Sequence, residues 1–198
     1  MKQEEKSRKS REHILEYAFA EFAAQGYMGA SVNTICAAGK ISKGLLYHYY
    51  ADKDALYLAC AETCFRELTA ALSAELKAET VTPDQYFDTR LAFFAQHPCH
   101  QRLFCDTVVN PPRHLLRELA ACRVSFDALN ETMLTAILEK EKLAKGISIQ
   151  DAIAQLRVFE DCVNTYLKNA GLEQQQVDKH NQLCRQTFQT MLYGLIAR

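Results

Sequence analysis

Residues 31–53 have the sequence SVNTICAAGKISKGLLYHYYADK, which predicts two short helices joined by a tight turn. Ser31 and Ser42 are suited to open these helices, because a serine hydroxyl accepts a hydrogen bond from the unpaired amides of a first helical turn. Apolar residues recur at helical spacing after each serine, and residues 39–41 interrupt the pattern. The predicted apolar anchors are Val32, Ile35 and Ala38 in the first helix and Leu45, Leu46, Tyr49 and Tyr50 in the second.

The second predicted helix has Lys43, Gly44, Tyr47 and His48 between its anchors. A lysine near the start of a helix can contact DNA phosphates, and a glycine permits close approach of the backbone. Phenol and imidazole groups can reach phosphates or base edges. These residues therefore predict a recognition helix whose outward face binds double-stranded DNA.

A longer part of the sequence resembles a known family. Residues 41–50, ISKGLLYHYY, followed by DKDAL at residues 52–56, are similar to the DNA-binding signature of the TetR family of transcriptional regulators. ILEYAF at residues 14–19 and FAAQGY at residues 22–27 match that family's first helix and the glycine-aromatic turn after it. The resemblance is specific over residues 1–60 and only architectural beyond them.

The sequence departs from the family pattern at one turn. The family usually has Ala-Gly where this chain has Gly39 and Lys40, so a lysine occupies the place of the usual turn glycine. Lys40 either adopts a left-handed backbone conformation, at a cost on the order of 1 kcal/mol, or the turn is displaced to Gly39. The resemblance also implies that Lys53 contacts a phosphate. The predicted DNA-binding residues are Ser31, Lys40, Ser42, Lys43, Gly44, Tyr47, His48, Tyr49 and Lys53.

The composition indicates a globular helical protein. Of the 198 residues, 48% are hydrophobic and 24% are charged, and only 7 Gly and 4 Pro interrupt helix-forming residues. The net charge of -1 argues against non-specific coating of nucleic acid, but a local DNA-binding face remains compatible with it. No signal peptide or membrane-spanning run is evident, which predicts a cytoplasmic protein with no membrane partner.

The sequence predicts an all-α fold with an N-terminal three-helix helix-turn-helix domain at residues 1–52. A larger helical effector-binding and dimerisation domain is predicted for residues 53–198. We expect residues 1–8 to form a charged arm and about nine helices to follow, a number and order that the resemblance also implies. The predicted helices cover residues 9–25, the two short helices of residues 31–50, and residues 52–78, 83–97, 98–110, 113–145, 148–170 and 173–197.

The last two predicted helices are amphipathic and can pack either on their own domain or on a second copy of the chain. A helix-turn-helix of this size recognises only a half-site, so specific binding needs two copies about 34–36 Å apart, or a multiple of that. The resemblance implies a homodimer formed through these two helices. The predicted interface residues are Leu156, Phe159, Val163, Leu167, Cys184, Phe188, Met191 and Leu195.

The middle of the chain is rich in aromatic residues, a pattern that more often forms plain core than a pocket. The resemblance implies that the corresponding helices enclose a small-molecule cavity, and the apolar lining predicts a largely apolar effector. The predicted effector residues are Phe87, Arg90, Phe94, Phe104, Arg123, Phe126, Asn130 and Asn164.

The sequence predicts neither a metal site nor a cofactor. His97, Cys99, His100 and Cys105 form a ligand-like cluster, but they lack the paired short spacings of structural zinc sites. Enzyme motifs are also absent. The predicted function is a DNA-binding transcriptional repressor that a small-molecule effector releases from its operator. The alternative is a helical adaptor that binds proteins without reading DNA, which the near-neutral charge and Lys40 leave open.

Overall fold

The computed structural model describes residues 2–170 and 174–195, and this part of the chain is mostly helical, with no strand. The predicted all-α fold with an N-terminal helix-turn-helix is confirmed. The α-helices are α1 (Lys2–Gly29), α2 (Val32–Ala38), α3 (Lys43–Tyr49), α4 (Lys53–Glu75), α5 (Pro83–Gln96), α6 (Pro98–Val109), α7 (Leu116–Leu138), α8 (Ile149–Ala170) and α9 (Gln174–Leu195), and a short 3-10 helix, Arg113–Leu115, precedes α7.

The chain folds as two compact units. The first comprises the described residues up to 65 together with residues 97–123, and the second comprises residues 66–96 and the described residues from 124 onward. Helices α4 and α7 each contribute to both units. The domain boundary after residue 52 stays a prediction.

Helix α1 begins much earlier than predicted. The expected charged arm at residues 1–8 is wrong, because α1 starts at Lys2. Ion pairs one turn apart, Lys9 to Glu5 and Arg8 to Glu12, each at 2.9 Å, support this helical start. Farther along, α1 packs against α2 and α6 through buried apolar side chains. Its helical path breaks at Gly26, where φ is 65°.

Side-chain caps set the starts of several helices. The carboxylate of Asp52 accepts a hydrogen bond from the Ala55 amide at 2.8 Å, which opens α4. Thr82 and Gln85 form a reciprocal capping box at the start of α5. Both helices therefore begin where their capping residues indicate.

Helix α7 ends at Leu138, so the predicted continuation to residue 145 is wrong. Residues 139–142 alternate acidic and basic side chains and are all exposed. Helical stability in proteins comes mainly from the packing of an apolar face, and this segment has none to bury. The chain then turns through Gly146, where φ is 86°, before α8 begins.

In the second unit, α9 packs against α8 and α5. The rings of Phe87 and Phe188 lie 4.3 Å apart between centroids, which joins α5 to α9. In the described part of the chain, every helix is too short or too polar to cross a membrane.

Candidate nucleic-acid interface

Helices α2 and α3 form as predicted, each opened by its serine. The Ser31 hydroxyl accepts a hydrogen bond from the Asn33 amide at 3.2 Å, and the Ser42 hydroxyl accepts one from the Leu45 amide at 3.1 Å. Both serines have the extended backbone conformation of an N-cap residue. The two predicted N-caps are therefore confirmed.

The turn between α2 and α3 is centred on Lys40, whose φ of 52° is left-handed, whereas Gly39 has a φ of -83°. The first of the two alternatives for this turn is thus confirmed. Gly39 is needed for space instead, because a Cβ there would lie 2.5 Å from Ile41 Cδ1 and 2.8 Å from Tyr17 Cδ2. His13 Nε2 lies 2.9 Å from the Gly39 carbonyl oxygen, which ties α1 to the turn that orients α3.

The left-handed lysine gives a stability prediction. We expect Lys40→Gly to raise the free energy of unfolding by about 0.5–1 kcal/mol, because glycine adopts a positive φ without steric cost. The larger conformational entropy of glycine in the unfolded chain offsets part of this gain. Denaturant unfolding measures the change. Lys40→Ala is the control, since it removes the charge but keeps the Cβ. An equal gain in both variants would mean that the charge, and not the backbone, is the source of instability.

Helix α3 presents one side inward and the remainder outward. Leu46 is fully buried. Successive residues are separated by about 100° around a helix, so Gly44 and His48 lie nearly opposite Leu46, with Leu45 and Tyr47 on either side of them. All four of these outward residues are exposed, and Tyr47 is 48% exposed. The surface of α3 formed by these four residues and the exposed Lys43 of its first turn is called the recognition face below.

Two predicted anchors are wrong. Leu45 is 38% exposed, because Leu46 occupies the inward position of this short helix. In α2, Ala38 is exposed, and Ile35 and Cys36 form the buried side. The spacing identified both helices, but it misplaced part of each buried face.

The other predicted DNA-binding residues lie on or beside α2 and α3. Two of the surrounding cations lie over aromatic rings: Arg11 Cζ is 5.3 Å from the Tyr49 ring centroid, and Lys53 Nζ is 4.7 Å from that of Tyr27. Both contacts hold positive charge near the C-terminal end of residues 31–53. Lys40, Ser42 and Lys43 are exposed, whereas Ser31, Tyr49 and Lys53 are half-buried.

A polar junction links the end of α1 to the start of α4. The Tyr27 hydroxyl donates a hydrogen bond to the Asp54 carboxylate, and His114 Nε2 lies 3.0 Å from the other carboxylate oxygen. Burial, followed by the hydrogen bond to Asp54, raises the pKa of Tyr27 to about 12. Tyr27 therefore remains a proton donor at neutral pH, next to Lys53.

Asp106 of α6 joins this junction. Its carboxylate accepts hydrogen bonds from the Tyr27 amide at 3.4 Å and from the Tyr57 hydroxyl at 3.0 Å. Tyr57 is fully buried, and burial together with Asp106 raises its pKa well above the ordinary value. Asp106 is not predictable from the sequence, because no local pattern connects residues so far apart in the chain.

The predicted effector residues are divided between the two units. Phe104, which is buried, and Arg123, which is half-buried, belong to the first unit. The six in the second unit are all buried: Phe87, Arg90, Phe94, Phe126, Asn130 and Asn164.

Arg90 is the centre of a buried polar network in the second unit. Its Nη1 lies 2.7 Å from Glu160 Oε1 and donates to the Tyr86 hydroxyl at 3.5 Å. Tyr86 in turn donates to the Asn130 side-chain oxygen, and the Arg90 guanidinium lies 5.7 Å from the Phe126 ring centroid. Burial would lower the pKa of Arg90, but the Glu160 carboxylate, the Tyr86 hydroxyl and Cys184 together outweigh burial, and the pKa lies above its ordinary value.

The predicted interface residues lie along α8 and α9. Leu156 and Phe188 are buried within the second unit, and Cys184 is half-buried. Phe159 and Met191 line a surface groove of about 440 Å³ that is mostly apolar. The side chains of Val163, Leu167 and Leu195 lie outside the described residues.

His100 of α6, one of the ligand-like residues, is engaged in other contacts. The His100 ring stacks on Phe19 with 4.5 Å between centroids, and the His100 carbonyl accepts a hydrogen bond from the Cys64 thiol. Among the residues that the structure describes, no three His, Cys, Asp or Glu side chains are grouped closely enough to hold a metal ion.

Comparison with known proteins places the strongest sequence similarity over the helix-turn-helix. Residues 14–60 match the family model of bacterial regulatory proteins, tetR family. The chain is 33% identical over 85 residues to the HTH-type transcriptional repressor SCO4008 of Streptomyces coelicolor, which covers 43% of this chain and 42% of that repressor. It is 24% identical over 147 residues to the repressor NicS of Pseudomonas putida, covering 72% and 68% of the two chains.

Similarity of fold extends over nearly the whole chain. The solved structure of the fatty acid degradation regulator FadR from Bacillus halodurans superposes with a TM-score of 0.70, covering 93% of this chain and 98% of that one at 16% identity. At this identity the likeness shows the fold alone. The aligned sequence spans less than half the length of SCO4008.

Proposed function

We propose that this chain is a TetR-family transcriptional repressor that binds operator DNA and is released from it by a small-molecule effector, because residues 14–60 match the family model of bacterial regulatory proteins, tetR family. The recognition face is the observation that carries the proposal. Its backbone is fixed by the Ser42 cap and the buried Leu46, while its polar and aromatic groups are exposed. This is the arrangement that a helix needs to enter a major groove.

In this proposal the contacts divide into two kinds. Lys43, Lys40 and Lys53 neutralise phosphates and fix the register, together with the hydroxyls of Ser31 and Ser42. Tyr47, His48 and Tyr49 contact the backbone or base edges, and Gly44 allows the helix to approach closely. The net charge of -1 means that affinity depends on these few placed groups and not on bulk charge.

The operator-bound form is proposed to be a homodimer through α8 and α9. One helix-turn-helix contacts only a half-site, so two copies are needed for a specific operator. The groove lined by Phe159 and Met191 leaves apolar surface exposed on these helices, which a second copy can cover.

The effector is proposed to bind in the second unit, where Phe87, Phe126, Arg90 and Asn130 supply apolar and polar groups. Binding there would alter the position of α4, which contributes residues to both units, and so the spacing of the two recognition faces. Coupling of this kind is reciprocal. Operator DNA must weaken effector binding by the same factor by which effector weakens DNA binding.

The direct test begins with an operator selected from random-sequence duplexes. Binding of the Lys43→Ala and Tyr47→Ala variants to this operator is then compared with binding of the unaltered chain. We expect Lys43→Ala to weaken binding about tenfold and to lower the salt dependence by about two ions, one phosphate for each half-site. Tyr47→Ala should weaken binding with a smaller change in salt dependence. Fluorescence anisotropy over a salt series measures both effects, and the titration end point gives the number of chains for each duplex.

The control is Lys77→Ala, which removes an exposed lysine outside residues 31–53. It should retain full affinity. Unchanged affinity in both Lys43→Ala and Tyr47→Ala would reject the assigned face. Binding of any duplex without salt dependence, or no selected sequence at all, would favour the adaptor that does not read DNA.

A further inference from the structure

We propose that Leu45 contacts the 5-methyl group of a thymine in each operator half-site and is therefore a specificity-determining residue. The inference rests on the proposed function, because it assumes that the recognition face enters the major groove. It concerns the one apolar side chain of that face that can form no hydrogen bond.

The position of Leu45 is fixed by its neighbours. Its amide donates to the Ser42 hydroxyl at 3.1 Å, which holds it in the first turn of α3. Leu46 is fully buried, and the preceding residue, Leu45, lies about 100° from it around the helix. The Leu45 side chain is therefore 38% exposed. Solvent exposure of a single leucine is common and by itself indicates little.

The surroundings of Leu45 give this exposure a meaning. Gly44 precedes it, and a Cβ at that position would meet nothing within 4 Å, so the surface beside Leu45 is open. Lys43, Tyr47 and His48 provide the polar groups of the same face. Leu45 is thus an apolar side chain in the first turn of a helix that otherwise presents groups able to bind DNA.

The chemistry of the groove selects one partner for such a side chain. In the major groove the thymine 5-methyl is the apolar group that distinguishes a base pair, and the other edge groups are hydrogen-bond donors and acceptors. A leucine placed against those polar groups would remove water from them without replacing its hydrogen bonds. When the leucine packs against a thymine methyl, no hydrogen bond to water is lost and apolar surface is buried.

The experiment uses the full chain and the operator selected from random duplexes. Each thymine of the enriched half-site is replaced in turn by deoxyuridine, which lacks only the methyl group. We expect one thymine position at which affinity falls about fourfold for a single half-site, and about fifteenfold when both half-sites are changed, from the burial of one methyl group in each.

Variants identify the residue that senses this methyl. Leu45→Ala should bind thymine and deoxyuridine duplexes equally at that position, whereas Leu45→Met, which keeps an apolar side chain of similar reach, should retain most of the discrimination. Leu116→Ala is the matched control, since Leu116 is 52% exposed and lies outside the recognition face. It should discriminate as fully as the unaltered chain.

Two results would overturn the inference: a selected operator in which no thymine is sensitive to loss of its methyl, or a Leu45→Ala variant that discriminates as before. Thermal unfolding of Leu45→Ala, expected to match that of the unaltered chain, shows that the variant is folded. Failure to select any sequence would instead refute the proposed function, and this inference with it, so the two failures are distinguishable.

Discussion

Replacing Glu160 by glutamine is expected to lower the free energy of unfolding by about 3–5 kcal/mol. Glu160 and Arg90 face each other at 2.7 Å, with side chains only 14% and 9% exposed. Glutamine has nearly the same shape but no charge, so the buried guanidinium would face a neutral amide. Removing one partner of a buried ion pair is much more costly than removing both, because the remaining charge stays in a poorly solvated site. Urea denaturation followed by circular dichroism measures the loss.

The same unit contains a matched control. Arg157 and Glu131 form an ion pair at 3.2 Å whose side chains are 43% and 51% exposed. Glu131→Gln should change stability by less than about 1 kcal/mol, since exposed ion pairs contribute little. Equal losses of unfolding free energy in Glu160→Gln and Glu131→Gln would show that the buried ion pair is not an important source of stability.

Features that depend on neighbouring residues were predictable from the sequence. Ser31, Ser42 and Asp52 cap helices where their residue types indicate, because a cap requires only the amides two or three positions later. The left-handed conformation of Lys40 was one of two alternatives that the sequence offered for this turn, because the conformation depends on the residues at positions 39 and 40. In these cases the physical cause lies within a few residues along the chain.

The buried face of a short helix was harder to predict. Leu45 and Leu46 are equally apolar, and a helix of two turns has too few residues for spacing to decide which one faces inward. In the first unit, packing buries Leu46 and leaves Leu45 exposed. Likewise, α7 stops at Leu138 because no apolar surface supports residues beyond it.

Polar pairs far apart in sequence were not predictable at all. The sequence predicts Arg90 as an effector-pocket residue, but its partner Glu160 is 70 residues away, and no local pattern connects the two. Asp106 similarly meets Tyr27 across 79 residues. Such pairs follow from the packing of whole helices, which a single sequence does not specify residue by residue.

Gly44→Ala is expected to make the protein more stable and at the same time a poorer DNA binder. Gly44 lies within α3, and an added Cβ would have nothing within 4 Å. Alanine in an exposed helix is more favourable than glycine by up to about 1 kcal/mol, so stability should rise. Nothing within the protein therefore explains the glycine. Close approach of DNA in the proposed complex would explain it, and an inserted methyl would then cost about 1–3 kcal/mol for each half-site, or about 5- to 150-fold in affinity.

Ser73→Ala is the matched control for this prediction. Ser73 is an exposed residue of α4 outside residues 31–53, and its replacement by alanine also raises helix propensity. It should increase stability without changing DNA affinity. Thermal unfolding and anisotropy titration on the selected operator measure the two quantities in each variant. If Gly44→Ala gains stability and keeps full affinity, the DNA backbone does not approach α3 at this residue, and the centre of the recognition face has been placed incorrectly. A fall in affinity confined to Gly44→Ala, growing further with a larger side chain at that position, would locate the closest contact opposite Leu46.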